Sequence, residues 1–269
     1  MRNISKLPSI TGVEPGNTVS LDVPVGLTYD KIHFKYSGAT AAQLKNIRIE
    51  LNGKLLTEYK TLQDVLNENN TFKREVLNGY ATLHFVRDEL NSAQGPQLVE
   101  QRFFALGTAG LSTVQIKFDI DPAAVDPKLE AFAEKSDAVM PGWLFKRRSF
   151  YKNLVVGTTE MENIPRPIGA HIAQIIIKAP GVTGAEFLVD NVKWRENIPL
   201  ELHNHILKQH GRSPRVDEYL IDFMMEGDMY GTLKLDAAIR DMRLRIDSDT
   251  EGQAEIIVYY FADYAKSNF

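Results

Sequence analysis

Cysteine is absent from this chain of 269 residues. Without a thiol, the protein has no disulfide, no thiolate-bound zinc and no cysteine nucleophile. The absence fits a reducing compartment. It also means that no covalent cross-link holds the fold, so packing and subunit contacts must do so.

Long hydrophobic runs and an excess of charge of one sign are also lacking. No stretch approaches the roughly 18 apolar residues of a membrane span, and the first eight residues lack the apolar core of a secretion signal. Lysine plus arginine total 31 and aspartate plus glutamate total 35, and each half of the chain carries a net charge of −2. Direct binding to nucleic acid is not expected, because no basic tail or domain could meet the phosphates.

Apolar residues that alternate with polar ones are the dominant pattern. Such alternation places one side of a strand on a core and the other side toward polar surroundings. Turn sequences, among them Asn52-Gly53 and Asn78-Gly79, separate the short segments. Many short strands divided in this way predict an all-β protein. The clearest examples begin at Val19, Ile32, Ile47, Val114, Met242 and Ile256.

Helices are predicted at three places. Thr61 and Asp64 resemble a capping box before a short helix that runs to Asn67. A second helix is predicted over 199–209, with Leu202 and Ile206 on one face. A third is predicted from Asp126, as the N-cap, toward Lys135, near the middle of the chain.

The two halves of the chain correspond to each other. Pro24-Val25-Gly26 aligns with Pro167-Ile168-Gly169 at an offset of 143. Three further elements follow in the same order at offsets of 138 to 141, which indicates a duplicated unit. These are the strand 47–51 with 186–189, the helix near Leu62 with that near Leu202, and the strand 113–121 with 254–262.

The predicted fold is therefore all-β, with two tandem eight-stranded antiparallel jelly-roll barrels and short inserted helices. The first jelly roll is assigned to residues 1–125, a helical connector to 126–142 and the second jelly roll to 143–269. This duplication agrees with the chain length, which suits about two domains.

Two acidic segments are candidate calcium sites. Asp247, Asp249 and Glu251 alternate before Gly252, as in the start of a calcium loop, but the later bidentate glutamate is missing. Asp119 and Asp121 form a second cluster at a strand end. An acidic turn without metal is the simpler reading of both, and calcium is the one candidate cofactor.

One basic and aromatic patch is a candidate lipid-facing surface. Aromatic side chains are interleaved with its cations, an arrangement that suits anionic headgroups. The alternative is an ordinary strand with its aromatic side chains inward. The basic residues are Lys146, Arg147, Arg148 and Lys152.

No catalytic constellation emerges from the sequence. His203, His205 and His210 are expected on the surface of the second helix, where His203 and His205 diverge by about 200°. No Gly-x-Ser-x-Gly or phosphate-binding loop occurs. An enzyme is therefore not predicted.

The whole chain resembles the major capsid proteins of the corticoviruses, the tailless, icosahedral, lipid-containing phages of marine bacteria. The resemblance covers the length, the start from Met1 to Leu7, the repeated Pro24 and Pro167 segments and the close at Tyr259-Tyr260-Phe261. No short diagnostic motif carries it.

This resemblance implies a structural role in the virion shell, after synthesis in the host cytoplasm. It implies homotrimeric, pseudo-hexameric capsomers that contact neighbouring capsomers, other virion proteins and the surface of an internal viral membrane. Two other classes stay open at this point. One is a carbohydrate- or receptor-binding β-sandwich, and the other is a bicupin-type metalloenzyme.

Overall fold

Antiparallel strands make up most of the computed structural model, which describes residues 2–91 and 100–266. In the first half these are β1 (Asn3–Lys6), β2 (Thr18–Asp22), β3 (Thr28–Ser37), β4 (Leu44–Leu51), β5 (Lys54–Thr61), β6 (Tyr80–His84), β7 (Leu106–Gly107), β8 (Val114–Ile120) and β9 (Lys128–Ser136). In the second half they are β10 (Trp143–Leu154), β11 (Gly157–Met161), β12 (His171–Lys178), β13 (Val182–Val189), β14 (Val192–Arg195), β15 (Glu218–Asp222), β16 (Leu233–Lys234), β17 (Met242–Ser248) and β18 (Gly252–Asp263).

Two α-helices interrupt the strands, α1 (Leu62–Thr71) and α2 (Leu200–Gln209). Single 3-10 turns lie at Ala41–Gln43 and Glu100–Arg102. Within the described ranges, neither α-helix has the length and hydrophobicity that a membrane crossing requires.

The two halves of the chain have the same sheet topology. In the first half the strand orders are β1-β9-β3-β6, with β7 beside β3, and β2-β8-β4-β5. In the second half they are β10-β18-β12-β15, with β16 beside β12, and β11-β17-β13-β14. Each strand of the second half therefore has the same neighbours as its counterpart in the first half, with β10 corresponding to β1 and β18 to β9. This arrangement confirms the predicted pair of jelly rolls.

Each barrel closes around side chains from its two sheets. In the first barrel, Phe34 on β3 meets Phe118 on β8 edge to face, with ring centroids 5.7 Å apart. In the second, Phe187 on β13 lies 5.7 Å from Phe223, which follows β15. The strands alternate as the sequence predicts, because every second residue must enter the core.

The offset of 143 is confirmed by an irregularity in the backbone. The ladder between β3 and β9 shifts register at Asp30, and the ladder between β12 and β18 shifts at Ala173. These positions are 143 residues apart. Since a bulge redirects a strand, its retention at one place in both barrels is strong evidence for duplication.

Matching hairpin turns also confirm the repeat. Asn52 and Gly53 join β4 to β5 with φ of 50° and 74°, and Asp190 and Asn191 join β13 to β14 with φ of 49° and 65°. Two successive residues with positive φ form the tight turn whose twist matches that of paired strands. Asparagine, aspartate and glycine tolerate this conformation best, which is why these residue types correctly predicted a turn.

Each inserted helix ends in the same way. The helix α1 begins at the predicted capping box of Thr61 and Asp64. After α1 the chain turns through Lys73, and after α2 it turns through Gly211, both with positive φ. Arg74 and Arg212 then donate their backbone N–H groups back into the last helical turn, so the two arginines occupy equivalent positions 138 residues apart.

The side chains of these two arginines are buried and paired. Arg74 contacts both carboxylate oxygens of Glu89, at 2.8 and 2.9 Å. Arg212 Nε donates to Asp222 at 2.7 Å, and its terminal nitrogens donate to the carbonyls of His210 and Met224. Each helix carries the chain from one sheet to the other. Arg212 therefore ties this crossing to the end of β15, and Arg74 ties it to the loop after β6.

The predicted helix from Asp126 to Lys135 is wrong, because Lys128–Ser136 forms β9. Leu129, Phe132 and Ala133 have helical spacing, and the segment is rich in residues that favour helices. However, β1 and β3 supply ladder hydrogen bonds on its two sides. Asp126 has a φ of 51° and is not a helix cap.

This error also misplaced one correspondence of the repeat. The strand 113–121 was matched with 254–262, but β8 has the topological place of β17, and β9 has that of β18. Omitting β9 from the count of strands moved the match by one strand.

The described residues divide into two compact units. One extends to Lys146 and includes the chain from Asp263 onward, and the other spans Arg147–Ala262. The division falls within β10. The stretch 126–142 consists of strand and loop, so it contains no helical connector.

Replacement of Arg212 by alanine should destabilise the protein by about 3–5 kcal/mol, because it leaves the fully buried carboxylate of Asp222 without its cation. Denaturant unfolding measures this loss. Arg215→Ala is the matched control on the same loop, since that side chain is one-third exposed and should contribute within about 1 kcal/mol. Equal losses for the two variants would contradict the assigned role of Arg212.

Candidate functional site

The predicted calcium ligands Asp119 and Asp247 occupy equivalent positions in the two barrels. Asp119 on β8 accepts hydrogen bonds at 2.7 Å from Thr18 and from Asn46, one to each carboxylate oxygen. Asp247 on β17 accepts in the same way from Thr158 and Asn197. Each aspartate thus ties its strand to a threonine on the neighbouring strand.

The electrostatics of Asp119 follow from these contacts. Partial burial alone would raise its pKa, but the hydrogen bonds from Asn46 and Thr18 and the charge of Arg48 outweigh that effect. The pKa therefore lies below its ordinary value, and the carboxylate is ionised at neutral pH.

The other predicted calcium ligands lie apart from these clusters. Asp121 binds the ammonium group of Lys45 and the backbone N–H of Ala123, contacts that lower its pKa. Asp249 and Glu251 are exposed on the connection from β17 to β18. Among residues 2–91 and 100–266, no three histidine, aspartate or glutamate side chains are placed to share a metal ion. Calcium binding stays a prediction of the sequence.

Hydrogen bonds shape the acidic connection itself. Ser248 donates to the carbonyls of Gly181 and Thr250, and the Thr250 hydroxyl donates to Pro180. The segment leads from β17 in one sheet to β18 in the other. The neighbouring loop therefore helps to position this backbone.

The predicted lipid-facing residues separate onto the two faces of β10. Arg147 is only 2% exposed, so it does not belong to a surface patch. Lys146, Arg148 and Lys152 share the opposite face, by the two-residue period of a strand, and are partly exposed. Since β10 ends its sheet, these three cations lie along a sheet edge.

The sequence predicts that the histidines of α2 lie on the surface, but the structure buries one of them. Leu202 is 45% exposed, whereas His203 is buried. The His203 ring stacks on Tyr219 with centroids 4.1 Å apart, and Nε2 donates to the Leu220 carbonyl at 3.0 Å. Burial, together with the charge of Arg195, lowers the pKa of His203 to about 4 despite this hydrogen bond, so the ring is neutral at pH 7.

A buried ionic cluster in the first barrel escaped the sequence analysis. Besides Glu89, the guanidinium of Arg74 lies 3.5 Å from Glu68, and Arg87 lies 3.3 Å from the same oxygen of Glu68. The Arg87 side chain also covers the Phe145 ring at 3.8 Å. Burial would raise the pKa of Glu89, but the two arginines lower it, so the carboxylate stays charged. No spacing rule links the residues of this cluster, because they lie on α1, on the loop after α1 and on the loop after β6.

A cleft of about 650 Å³ lies beside this cluster, on the outer face of β3 and β6. Along it, Lys31 pairs with Asp88 at 2.8 Å. His33 contacts Thr82 at 2.9 Å and Glu134 at 3.1 Å. The alternation that begins at Ile32 predicts one polar face for this strand, but the cleft depends on the segment after α1. Lys31 and Asp88 carry opposite charges, and these side chains do not form a nucleophile activated by a base.

The chain is similar to viral coat proteins over nearly all of its length. A family model described as viral coat protein P2 N-terminal domain matches residues 4–136, and one described as viral coat protein P2 C-terminal domain matches residues 145–264. Major capsid protein P2 of Pseudoalteromonas phage PM2 is 48% identical, and the match covers 100% of both chains.

Solved structures give the same picture. The crystal structure of that phage protein matches with a TM-score of 0.97 over 100% of both chains, at 48% identity. The Sulfolobus turreted icosahedral virus structure matches with a TM-score of 0.68 at 10% identity, covering 97% of this chain and 90% of the other. The Faustovirus major capsid protein matches with a TM-score of 0.61 at 8% identity, over 98% and 90%. The last two likenesses show the double jelly-roll fold alone.

Acid should destabilise the protein through its buried neutral histidines. His84, like His203, has a pKa lowered to about 4, mainly by burial and by the charges of Arg74 and Lys31. Since an unfolded histidine titrates near pH 6.5, the contribution of each ring is complete above that pH and is lost as the pH falls toward 4. Melting temperatures measured across this range should decline.

The variant His203→Phe separates this effect from general acid denaturation. Phenylalanine can stack on Tyr219 but does not titrate, so the melting temperature should depend less steeply on pH. His205→Gln, at an exposed position of the same helix, is the control. An unchanged slope in His203→Phe would contradict the assignment.

Proposed function

Because this chain belongs to the viral coat protein P2 family, we propose that its copies assemble as homotrimers, each a pseudo-hexameric capsomer of an icosahedral shell over a membrane. The coarser role follows from the family itself. The chain is a homologue of a phage major capsid protein, a structural protein of the capsid shell rather than an enzyme. The single observation that carries this assignment is the full-length match at 48% identity and a TM-score of 0.97.

The duplicated barrel supports the trimeric capsomer. Each chain contains two units that share one strand order, so a trimer contains six similar units. Six similar units suit a position with six neighbours in a closed shell. The barrels are similar but not identical, so each can contact a different neighbour. The partners proposed for the trimer are neighbouring capsomers and other virion proteins.

The family assignment displaces the two alternatives from the sequence. A carbohydrate- or receptor-binding module and a bicupin enzyme share the β-architecture, but the full-length relative is a major capsid protein. The histidines that prompted the metal reading are divided between a buried stack at His203 and the exposed His205.

The cationic face of β10 supports contact with the viral membrane. Lys146, Arg148 and Lys152 lie on one face of a strand at the edge of its sheet, and their side chains are partly exposed. Cationic side chains suit the headgroup region of an anionic bilayer. Arg147 is excluded from this proposal because its side chain is buried.

Purified protein should form particles of three 30.3 kDa chains with a hexagonal outline. Light scattering coupled to gel filtration measures the mass, and negative-stain electron microscopy shows the outline. A monomer or dimer at the concentrations used for microscopy would contradict the capsomer proposal, although the family assignment would stand.

The double variant Arg148→Glu/Lys152→Glu should weaken flotation of the protein with vesicles of phosphatidylcholine and phosphatidylserine. The variant Lys208→Glu/Lys234→Glu changes the net charge equally at exposed positions of the second barrel and should float like the parent protein. Melting curves of both variants check the fold. Equal flotation of all three proteins would reject β10 as the lipid-facing surface.

A further inference from the structure

The tripeptide Leu-Asn-Gly occurs twice in the first barrel, at 51–53 and at 77–79. Both copies form turns, and the side chains of both asparagines are exposed. An asparagine followed by glycine is open to attack on its side-chain amide by the next backbone nitrogen, because glycine has no Cβ to hinder the approach. The two copies therefore have the same local chemistry, and differences in reactivity must come from the fold.

The structure restrains Asn52 strongly. Its side-chain Oδ1 accepts the backbone N–H groups of Ser112 and Thr113, at 2.8 and 3.1 Å. Its own backbone N–H donates to the Thr113 carbonyl at 2.9 Å. The Asn52 amide is thus bound to the segment immediately before β8, and it must leave these partners before its carbon can meet the Gly53 nitrogen.

Asn78 has no such restraint. Within residues 2–91 and 100–266, no hydrogen bond to its side chain occurs, and the side chain is exposed between α1 and β6. Tyr80 N–H closes the turn on the Leu77 carbonyl at 3.0 Å, with Gly79 at a φ of 76°. The Asn78 side chain can rotate toward the Gly79 nitrogen without breaking a contact of the fold.

We propose that Asn78 is a site of spontaneous deamidation in the folded protein, whereas Asn52 is protected. The deprotonated Gly79 nitrogen attacks Asn78 Cγ, a new C–N bond forms, and the Cγ–Nδ2 bond breaks as ammonia leaves with a proton from solvent. Water then opens the five-membered imide at either carbonyl, which gives aspartate or isoaspartate. No oxidant or cofactor is needed.

The modification would alter a defined part of the barrel. Each event changes the formal charge of one chain from −4 to −5, on the loop whose Val76 and Leu77 line the cleft beside β3. Isoaspartate also adds a methylene group to the backbone immediately before β6, where Tyr80 pairs with Lys35. A shell of many copies would therefore become heterogeneous in charge as it ages.

Trypsin places the two asparagines on separate peptides, Ile49–Lys54 and Glu75–Arg87, each with a single asparagine. The intact protein is incubated in mildly alkaline buffer, digested, and analysed by mass spectrometry, with isoaspartyl methyltransferase labelling as a second readout. Conversion should be about tenfold faster at Asn78 than at Asn52, the factor for releasing one or two hydrogen bonds.

Two controls tie this difference to the fold. In denaturant the two peptides should convert at similar rates, since their Leu-Asn-Gly sequence is the same. Asn78→Gln should abolish conversion in the Glu75–Arg87 peptide, because attack would then need a larger ring. Equal rates at the two sites in the folded protein, or no conversion at Asn78, would overturn the proposal.

Discussion

A buried arginine that follows each inserted helix is the interaction on which both barrels depend. The helix carries the chain from one sheet to the other, so its position fixes how the sheets close. Arg74 and Arg212 lie at the same place in the two units, and each pairs with a carboxylate that is nearly excluded from solvent. Such a pair contributes little over an apolar contact, but a missing partner leaves a buried charge and is costly. This asymmetry explains why the pair persists although its surroundings differ.

The surroundings of the two arginines show how the duplicated units diverged. In the first barrel, Arg74 belongs to a cluster with Glu68, Arg87 and Glu89. In the second, Arg212 depends on Asp222 and on backbone carbonyls. The clusters centred on Asp119 and Asp247 instead kept a threonine partner on the neighbouring strand, whereas the asparagine comes from β4 in the first barrel and from the loop after β14 in the second. In a chain without cysteine, these polar clusters and the two apolar cores replace covalent links.

The candidate sites were predictable to different degrees. The alternation in β10 correctly indicated a strand with cations, but only the structure separates the buried Arg147 from Lys146, Arg148 and Lys152. The acidic residues of β8 and β17 are predicted calcium ligands from their spacing, but only the structure shows that Asp119 and Asp247 accept hydrogen bonds from threonine and asparagine side chains. His203 looked like a surface residue because the partner of its ring, Tyr219, lies on a different element. The family resemblance, rather than any local motif, carried the prediction of a capsid role.

The sequence by itself determined the features that depend on a few neighbouring residues. These are the alternating strands, the positive-φ turns at Asn52-Gly53 and Asp190-Asn191, the capped helix after Thr61 and the offset of 143 between the barrels. The tertiary structure decided that Lys128–Ser136 is a strand, since β1 and β3 supply hydrogen-bond partners from distant parts of the chain. It also brought Glu89 to Arg74 and Asp222 to Arg212. Local propensity depends on residues a few positions apart. Strand pairing and burial instead join residues that are distant in the sequence, and their separation does not predict the contact.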